Sequence, residues 1–351
     1  MLRAADRRQE RTWFAPEAVK AALDRAAHLT SEQRDAVVNA AQADGVSIVE
    51  AGAGTGKTTL ARAIVDAAHA SDLRVVGLAP SWVAADELSQ SSGIEAVAVA
   101  RWRYDREHKG EHAFGASTVI LVDEAGMVGT RDMSAILTAA KDAGAKVVLI
   151  GDRRQLQSVA GASALKAVAD VVRRGAVLDG VRRQKVEWQR AASVAMARGD
   201  TEAGLRAYAN RGRLELVAGD SAGRDRVIAK WTEFRARHGR DVLIMTRRNQ
   251  DSAILNRSAR ETLRAEGLIA AQDVECAALD REDKRVTLAL ASGDQVRFGE
   301  SLPRLGVRNG NRAIVENVRR DPGGDVQIAL ALEDRRRIEG EWGGICATAT
   351  E

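Results

Sequence analysis

Short apolar runs alternate with helical stretches along the first half of the chain. Four runs rich in β-branched residues are typical of buried parallel strands. They lie at residues 46–50, 75–79, 119–122 and 146–150. Apolar residues with a helical spacing indicate helices at 58–70 and 131–143, and two shorter helices are expected within 15–45. Strands and helices in this order predict an α/β fold with a doubly wound parallel sheet.

The pattern changes after about residue 180. An extended run at 214–217, a strand at 242–245 and helices near 227–234 and 251–265 predict a second, smaller α/β unit. From about residue 286, apolar and polar residues alternate with a period of two, interrupted by turn sequences such as Asn309-Gly310. This alternation predicts a small all-β region.

Composition and charge exclude several classes of protein. The 351 residues are 45% hydrophobic and 29% charged, as in ordinary soluble globular proteins. Cys276 and Cys346 are far apart, which argues against a disulfide scaffold or a zinc site and fits a reducing compartment. Neither a signal peptide nor an apolar membrane span of about 18 residues is found, so we expect a cytoplasmic protein without a membrane partner. The net charge of +4 permits a polyanionic partner without requiring one.

The strongest chemical signal is a glycine-rich loop between a predicted strand and a predicted helix. It reads Ala51-Gly52-Ala53-Gly54-Thr55-Gly56-Lys57-Thr58. Glycines let consecutive backbone N–H groups surround phosphate oxygens, and the helix N-terminus adds partial positive charge. Lys57 is expected to reach the β- and γ-phosphates of ATP, and Thr58 to bind Mg²⁺. The predicted nucleotide-binding residues of the loop are Gly52, Gly54, Thr55, Gly56, Lys57, Thr58 and Thr59.

Polar side chains follow two further predicted strands. Asp123 comes directly after the strand at 119–122, where a carboxylate can hold Mg²⁺, and the adjacent Glu124 can accept a proton from an attacking water. Gln155 lies in the loop after the strand at 146–150, where it could sense the γ-phosphate. These residues predict an ATP hydrolase, with Lys57, Glu124 and Gln155 in catalytic roles.

Gln33 has two readings that the sequence leaves open. Thr30 and Gln33 have the spacing of a helix capping box, with threonine at the N-cap and glutamine at N3. Alternatively, the Gln33 amide recognises the edge of adenine, which is the reading we favour. One side chain cannot do both at once.

Together these stretches resemble successive motifs of RecD-like superfamily 1 DNA helicases, and more closely the helicase region of TraA-type conjugative relaxases. The resemblance runs from about residue 28 to 330. Its main motifs lie at residues 29–33, 51–58, 123–127 and 151–159. It implies an ATP-driven motor from a conjugative or mobilisable element that acts on single-stranded DNA, with conjugation machinery as a further partner and a monomer as the expected state.

The resemblance also implies a domain plan. We expect a helical segment (1–45), a RecA-like P-loop NTPase domain (46–180), an incomplete second RecA-like domain (181–275) and a small β-barrel insert with a tail (276–351). ATP is expected in a cleft between the two RecA-like domains.

The same likeness assigns roles to four more residues. Arg183 falls where the second domain supplies an arginine to the γ-phosphate, with Arg182 as the alternative. Arg247 and Arg248 fall where it meets DNA or nucleotide, although a solvated surface pair is the alternative. Trp102 lies near DNA-binding segments and could stack on bases, although a core position is the alternative.

The chain departs from the family pattern in ways that bear on activity. Ala98 stands where the family often has threonine, and no relaxase nuclease domain precedes the motor. The last histidine is His238 and the last lysine is Lys284, so the family's later His-Lys segment and final arginine motif are missing. We therefore expect a truncated copy whose unwinding is impaired. The alternatives are a slow ATPase that does not translocate and a degenerate, non-catalytic fragment that binds ATP or DNA.

Overall fold

The computed structural model describes the chain except residues 9, 53, 111–113, 154–163, 173–174, 179–183, 185, 240–241, 280–284, 346–348 and 351. The chain divides into two compact units, residues 1–214 and 215–351. In the first unit the helices are α1 (Leu2–Ala5), α2 (Pro16–Arg25), α3 (Ser31–Ala40), α4 (Lys57–His69), α5 (Trp82–Ser92), α6 (Val99–Lys109), α7 (Thr130–Asp142), α8 (Ala164–Val171), α9 (Glu187–Ala197) and α10 (Thr201–Ala209). Its strands are β1 (Val46–Ala51), β2 (Arg74–Ala79), β3 (Ala96–Ala98), β4 (Thr118–Val122), β5 (Lys146–Gly151) and β6 (Gly175–Leu178).

The six strands of the first unit form one parallel sheet. Their order is β3-β2-β4-β5-β1-β6, so β4 and β5 lie between β1 and β2 although they follow them in the chain. This confirms the predicted α/β fold with a parallel sheet. Because the strands are parallel, β1, β4 and β5 all end at the same edge, and the three sequence motifs begin there.

Hydrophobic packing covers both faces of this sheet. Val49 and Ile150 contribute to a cluster that contains α2, α3 and α4, whereas Ile48 and Leu149 contribute to a cluster that contains α6, α7 and α8. Successive residues of a strand point to opposite faces, so a strand that is covered on both sides must be apolar at nearly every position. This accounts for the continuous apolar runs in the sequence.

A lysine lies fully buried at the opposite edge of the sheet. Lys146 is the first residue of β5, and its Nζ donates to the carbonyl oxygens of Gln42 (2.9 Å) and Asp44 (2.6 Å) and to Ser47 Oγ (3.1 Å). Burial lowers the pKa of Lys146 to about 7, against the attraction of the Asp44 carboxylate. No pattern in the sequence predicts that this lysine is buried.

The second unit combines two helices with antiparallel strands. Its helices are α11 (Asp220–His238), α12 (Asn249–Ala265) and the short α13 (Trp342–Ile345). Its strands are β7 (Val274–Leu279), β8 (Arg285–Leu290), β9 (Gln295–Phe298), β10 (Arg312–Arg320), β11 (Val326–Leu332), β12 (Arg337–Glu341) and β13 (Ala349–Thr350). Strands β7 and β8 pair with each other, and the other five form a sheet in the order β12-β11-β10-β9-β13. The all-β region is thus present, while its closure into a barrel stays a prediction.

The prediction of a strand at 242–245 is wrong. Residues 242–246 and 213–217 adopt neither helix nor strand. A β-strand needs a neighbouring backbone, and among the described residues none pairs with either segment. No helix in the described part of the chain is long and apolar enough to cross a membrane.

Candidate nucleotide-binding site

The glycine-rich loop joins the end of β1 to the start of α4, as its sequence predicts. Gly54 and Gly56 have φ angles of 77° and 87°, in the left-handed region that side chains disfavour. A Cβ on Gly56 would also lie 2.4 Å from Gln33 Nε2. The backbone conformation therefore requires glycine at position 56, and a side chain there would also displace the Gln33 amide.

Gln33 forms a hydrogen bond to the backbone of the glycine-rich loop. Its Oε1 accepts a hydrogen bond from the Thr30 backbone N–H (3.1 Å), and its Nε2 donates to the Thr55 carbonyl oxygen (3.0 Å). Thr30 Oγ1 accepts in turn from the Gln33 N–H (3.1 Å), which completes the capping box of α3. The structure therefore confirms that Gln33 belongs to the capping box of α3, and adenine recognition by Gln33 stays a prediction.

The loop is further held by its own threonine and lies close to a carboxylate from β5. Thr55 Oγ1 donates to the Gly52 carbonyl oxygen at 2.9 Å. A Cβ placed on Gly52 would be 3.5 Å from Asp152 Oδ2, so Asp152 approaches the loop closely. Asp152 directly follows β5, in the stretch that the sequence marked only for Gln155.

Lys57 forms an ion pair with Glu124, the residue predicted to accept a proton from the attacking water. Its Nζ lies 2.5 Å from Glu124 Oε1, and both side chains are mostly shielded from solvent. Glu124 has a φ of 47°, one of few positive values among non-glycine residues, and Asp123 Oδ1 accepts from the Glu124 N–H at 2.8 Å. This strained turn directs two adjacent carboxylates toward the glycine-rich loop.

Burial raises the pKa of Asp123 above its ordinary value. The Glu124 N–H and the Lys57 ammonium oppose this rise, while the charges of Glu124 and Glu87 add to it. A carboxylate that is partly desolvated and close to other carboxylates favours binding of a cation. Asp123 therefore has the surroundings expected of a Mg²⁺ ligand.

A cavity of about 480 Å³ opens between the loop and α5, within the usual size range of ligand pockets. The predicted residues that line it are Gly54, Gly56, Lys57, Thr58, Asp123 and Glu124. Gly52, Thr55 and Thr59 belong to the loop and the first turn of α4 but not to this lining. Glu87 and Ser91 of α5 also line the cavity, and the sequence analysis missed both as site residues. The signal was available, because α5 follows β2, whose carboxyl end lies at the same edge of the sheet.

The comparison with protein-family models decides the family. An AAA domain matches residues 28–219, which is more than half of the chain. The chain belongs to the AAA domain family. The cavity and the loop both lie within this AAA domain, and so do α3 and its capping box.

Relatives of this AAA domain protein are helicases and conjugation proteins. The conjugal transfer protein TraA of Rhizobium radiobacter is 33% identical over 300 residues, covering 84% of the present chain and 26% of TraA. The ATP-dependent RecD2 DNA helicase of Deinococcus radiodurans is 29% identical over 165 residues, covering 45% and 21%. The resemblance to TraA and to RecD-like helicases is thereby confirmed. The chain spans about a quarter of the length of the curated relatives it matches.

A solved structure of two Pif1 helicases at forked double-stranded DNA shares the fold. Its TM-score is 0.55 at 16% sequence identity, and the match covers 89% of the present chain and 76% of the Pif1 chain. Identity this low shows a common fold alone.

The remaining predicted site residues are placed as follows. The prediction that Trp102 of α6 stacks on DNA bases is wrong. The Trp102 side chain is fully buried and stacks on Phe114, with ring centroids 5.3 Å apart. Arg247 and Arg248 are exposed in the second unit, and Arg248 is bound by Asp251 (2.6 Å) and Asp220 (2.9 Å). Gln155 and Arg183 lie outside the described residues.

Proposed function

We propose that this chain is the ATP-binding and ATP-hydrolysing motor portion of a RecD-like superfamily 1 DNA helicase from a conjugative or mobilisable element. The observation that carries the proposal is the meeting of Lys57, Asp123 and Glu124 around one glycine-rich loop at the edge of a parallel sheet. The TraA and RecD2 relatives support the choice of helicase over other ATPases.

The residues around the glycine-rich loop have distinct tasks in the proposed hydrolysis of ATP. Lys57 and the loop N–H groups bind the phosphate oxygens of ATP, and Thr58 and Asp123 would hold Mg²⁺, which when bound would neutralise phosphate charge. Glu124 takes the proton of the attacking water. Gln155 and Arg183 are proposed to sense and stabilise the γ-phosphate, on the strength of their motifs in the sequence.

Two measurements test the proposal: the affinity for Mg²⁺-ATP, and the turnover of ATP with and without single-stranded DNA. Lys57→Ala removes a charge-assisted contact worth roughly 1.5–3 kcal/mol, so Mg²⁺-ATP affinity should fall by about one to two orders of magnitude. Arg62→Ala, an exposed arginine on the same helix α4, is the control and should leave affinity unchanged. Equal ATP affinity in wild type and Lys57→Ala would refute the assignment.

Single-stranded DNA is the proposed track of the motor. Arg247 and Arg248 offer a matched pair, because Arg248 is bound by two carboxylates while no described residue forms an ion pair with Arg247. We expect Arg247→Ala to reduce the salt dependence of binding by about 0.7 in log–log slope, the value for one phosphate contact. Arg248→Ala should reduce it less. A slope that neither change alters would remove this surface from the DNA path.

Residues 1–351 alone are proposed to hydrolyse ATP slowly and not to unwind DNA. An arginine delivered to the γ-phosphate is worth roughly 10³–10⁵ in rate in related phosphoryl-transfer enzymes, and the final arginine motif that the resemblance leads us to expect is not among residues 1–351. The alternative is a non-catalytic fragment, which would bind ATP without turnover. Strand displacement at saturating ATP that depends on Lys57 would contradict the expectation of impaired unwinding.

A further inference from the structure

An arginine that follows β5 forms a bidentate ion pair to which the proposed hydrolysis of ATP assigns no task. Arg153 Nε donates to Glu50 Oε2 at 2.7 Å, and Arg153 Nη2 lies 2.6 Å from Glu50 Oε1. Two parallel bonds from one planar guanidinium to one carboxylate fix the orientation of both groups. The side chains are only 36% and 19% exposed, so solvent screens this pair less than a surface pair.

The pair joins two elements of the nucleotide-binding site. Glu50 lies in β1 and directly precedes the glycine-rich loop, and its Cα is in register with that of Gly151 in the neighbouring strand β5. Arg153 lies two residues beyond Gly151. We name residues 151–153 the β5 end. The ion pair therefore fastens the β5 end to the strand that carries the glycine-rich loop.

The β5 end packs against the backbone of the turn that carries Glu124. We name residues 123–128 the Glu124 turn. A Cβ on Gly126 would lie 2.6 Å from the Asp152 carbonyl oxygen, and a Cβ on Gly151 would lie 2.9 Å from the Ala125 nitrogen. Both neighbours are backbone atoms, which cannot rotate away as the end of a side chain can. The two segments are thus in direct backbone contact, and glycine is required on each side of it.

The Glu124 turn depends on such support. Glu124 has a φ of 47°, a conformation that a non-glycine residue keeps only where its surroundings hold it. Within the turn, the Met127 N–H donates to the Glu124 carbonyl oxygen (2.9 Å) and the Val128 N–H to that of Ala125 (3.3 Å). The β5 end closes the turn from outside.

Glu50 in turn requires a cation beside it. It is the one charged residue of β1, whose other five residues are buried. A largely shielded carboxylate that loses its cationic partner keeps the cost of desolvation without the compensating attraction. Removal of Arg153 would therefore release the β5 end and also leave an unpaired charge at the end of β1.

We propose that Arg153, held by Glu50, is a positioning residue for Glu124. The ion pair fixes the β5 end, the β5 end supports the Glu124 turn at Gly126, and the turn keeps the Glu124 carboxylate at the edge of the glycine-rich loop. Arg153 acts through the backbone and not on the nucleotide. The inference rests on the proposed function, in which Glu124 takes the proton of the attacking water.

Turnover and affinity are measured separately for Arg153→Ala. We expect kcat for ATP to fall by about tenfold or more, because a small displacement of the base slows the reaction, while the Kd for Mg²⁺-ATP stays within about twofold. Arg153→Lys keeps the charge but not the bidentate geometry, and should retain part of the rate. Arg62→Ala, which breaks the ion pair with Asp66 on α4, is the control and should change neither quantity. A kcat equal to that of wild type in Arg153→Ala would overturn the proposal.

The partner residue provides a second test. Glu50→Gln should also lower kcat, and the protein with both Glu50→Gln and Arg153→Ala should be no slower than the slower single variant, because the two residues act as one unit. Losses that multiply in the double variant would mean that the two residues act independently, and would contradict the proposal.

Hydrogen exchange separates this proposal from the proposed function. The amides of Met127 and Val128 should exchange about tenfold faster or more in Arg153→Ala than in wild type, because the turn they close is less supported. The amide of Leu137 in α7 should not change, which excludes a general loss of stability. Equal exchange of Met127 and Val128 in both proteins would overturn the positioning role. A wild-type protein that does not turn over ATP would instead refute the proposed function, and the exchange rates would still decide whether Arg153 positions the Glu124 turn.

Discussion

Gln33 Nε2 donates to the Thr55 carbonyl oxygen at 3.0 Å, so the residue that caps α3 also holds the glycine-rich loop. Gln33→Glu separates the two tasks, because the carboxylate still accepts from the Thr30 N–H but cannot donate to Thr55. We expect a lower Tm, because a buried carboxylate oxygen would face the Thr55 carbonyl oxygen, and weaker binding of ATP and GTP alike, measured by calorimetry. Gln33→Ala should weaken binding and also cost about 1 kcal/mol of stability. A loss confined to ATP would instead support adenine recognition by Gln33.

Asp123→Asn should stabilise the protein while weakening its affinity for Mg²⁺-nucleotide by at least about tenfold. Because the folded-state pKa of Asp123 is raised, the ionised carboxylate is disfavoured by folding at neutral pH. Its contribution to the free energy of unfolding falls as the pH rises from the ordinary Asp value through the raised one. The gain in Tm should therefore be present at pH 7.5 and shrink as the pH falls toward 4. Asp35→Asn, at an exposed position of α3, is the control, and a Tm of Asp123→Asn at or below that of wild type would contradict the prediction.

Lys146 should make the protein more stable as the pH rises from about 7 toward the unfolded value of 10.5. In this window the unfolded chain holds a proton that the folded lysine has lost, so the free energy of unfolding gains up to about 1.4 kcal/mol per pH unit. Urea unfolding at pH 7, 8 and 9 measures this slope. Lys146→Met should flatten it, whereas Lys141→Met, at an exposed position of α7, should not. The same slope in all three proteins would mean that Lys146 stays charged when folded.

Trp102 should matter for folding and not for DNA. Trp102→Ala empties a fully buried site and is expected to cost about 3–5 kcal/mol. Trp102→Phe should cost much less, partly because the indole N–H has no hydrogen-bond partner in the described part of the chain. The affinity of the Trp102→Phe protein for single-stranded DNA, measured by fluorescence anisotropy, should equal that of wild type. Weaker DNA binding by a stable Trp102→Phe protein would restore the stacking role.

The parallel sheet and the glycine-rich loop could be predicted because their signals are local. A continuous apolar run such as that of β4 fits only a strand covered on both faces, and Lys57 after three glycines fits few structures other than a phosphate loop. Asp123 could be placed for a similar reason, since the carboxyl ends of parallel strands share one edge.

Other features depend on contacts between distant parts of the chain. The sequence left Trp102 open between the core and a DNA surface, and packing against Phe114 decided it. Lys146 looks like the solvated first residue of a strand until three acceptors from residues 42–47 enclose it. The run at 242–245 has the composition of a strand, but pairing requires a neighbour that composition cannot supply.

In the proposed reaction, the ion pair between Lys57 and Glu124 makes phosphate binding an exchange of partners rather than an addition. Lys57 could neutralise a phosphate oxygen fully only by giving up its carboxylate partner, so Glu124 would be released when a water has a phosphorus atom to attack. When phosphate departs, the lysine would take the carboxylate back. The proposed base would therefore be free only while a nucleotide is bound.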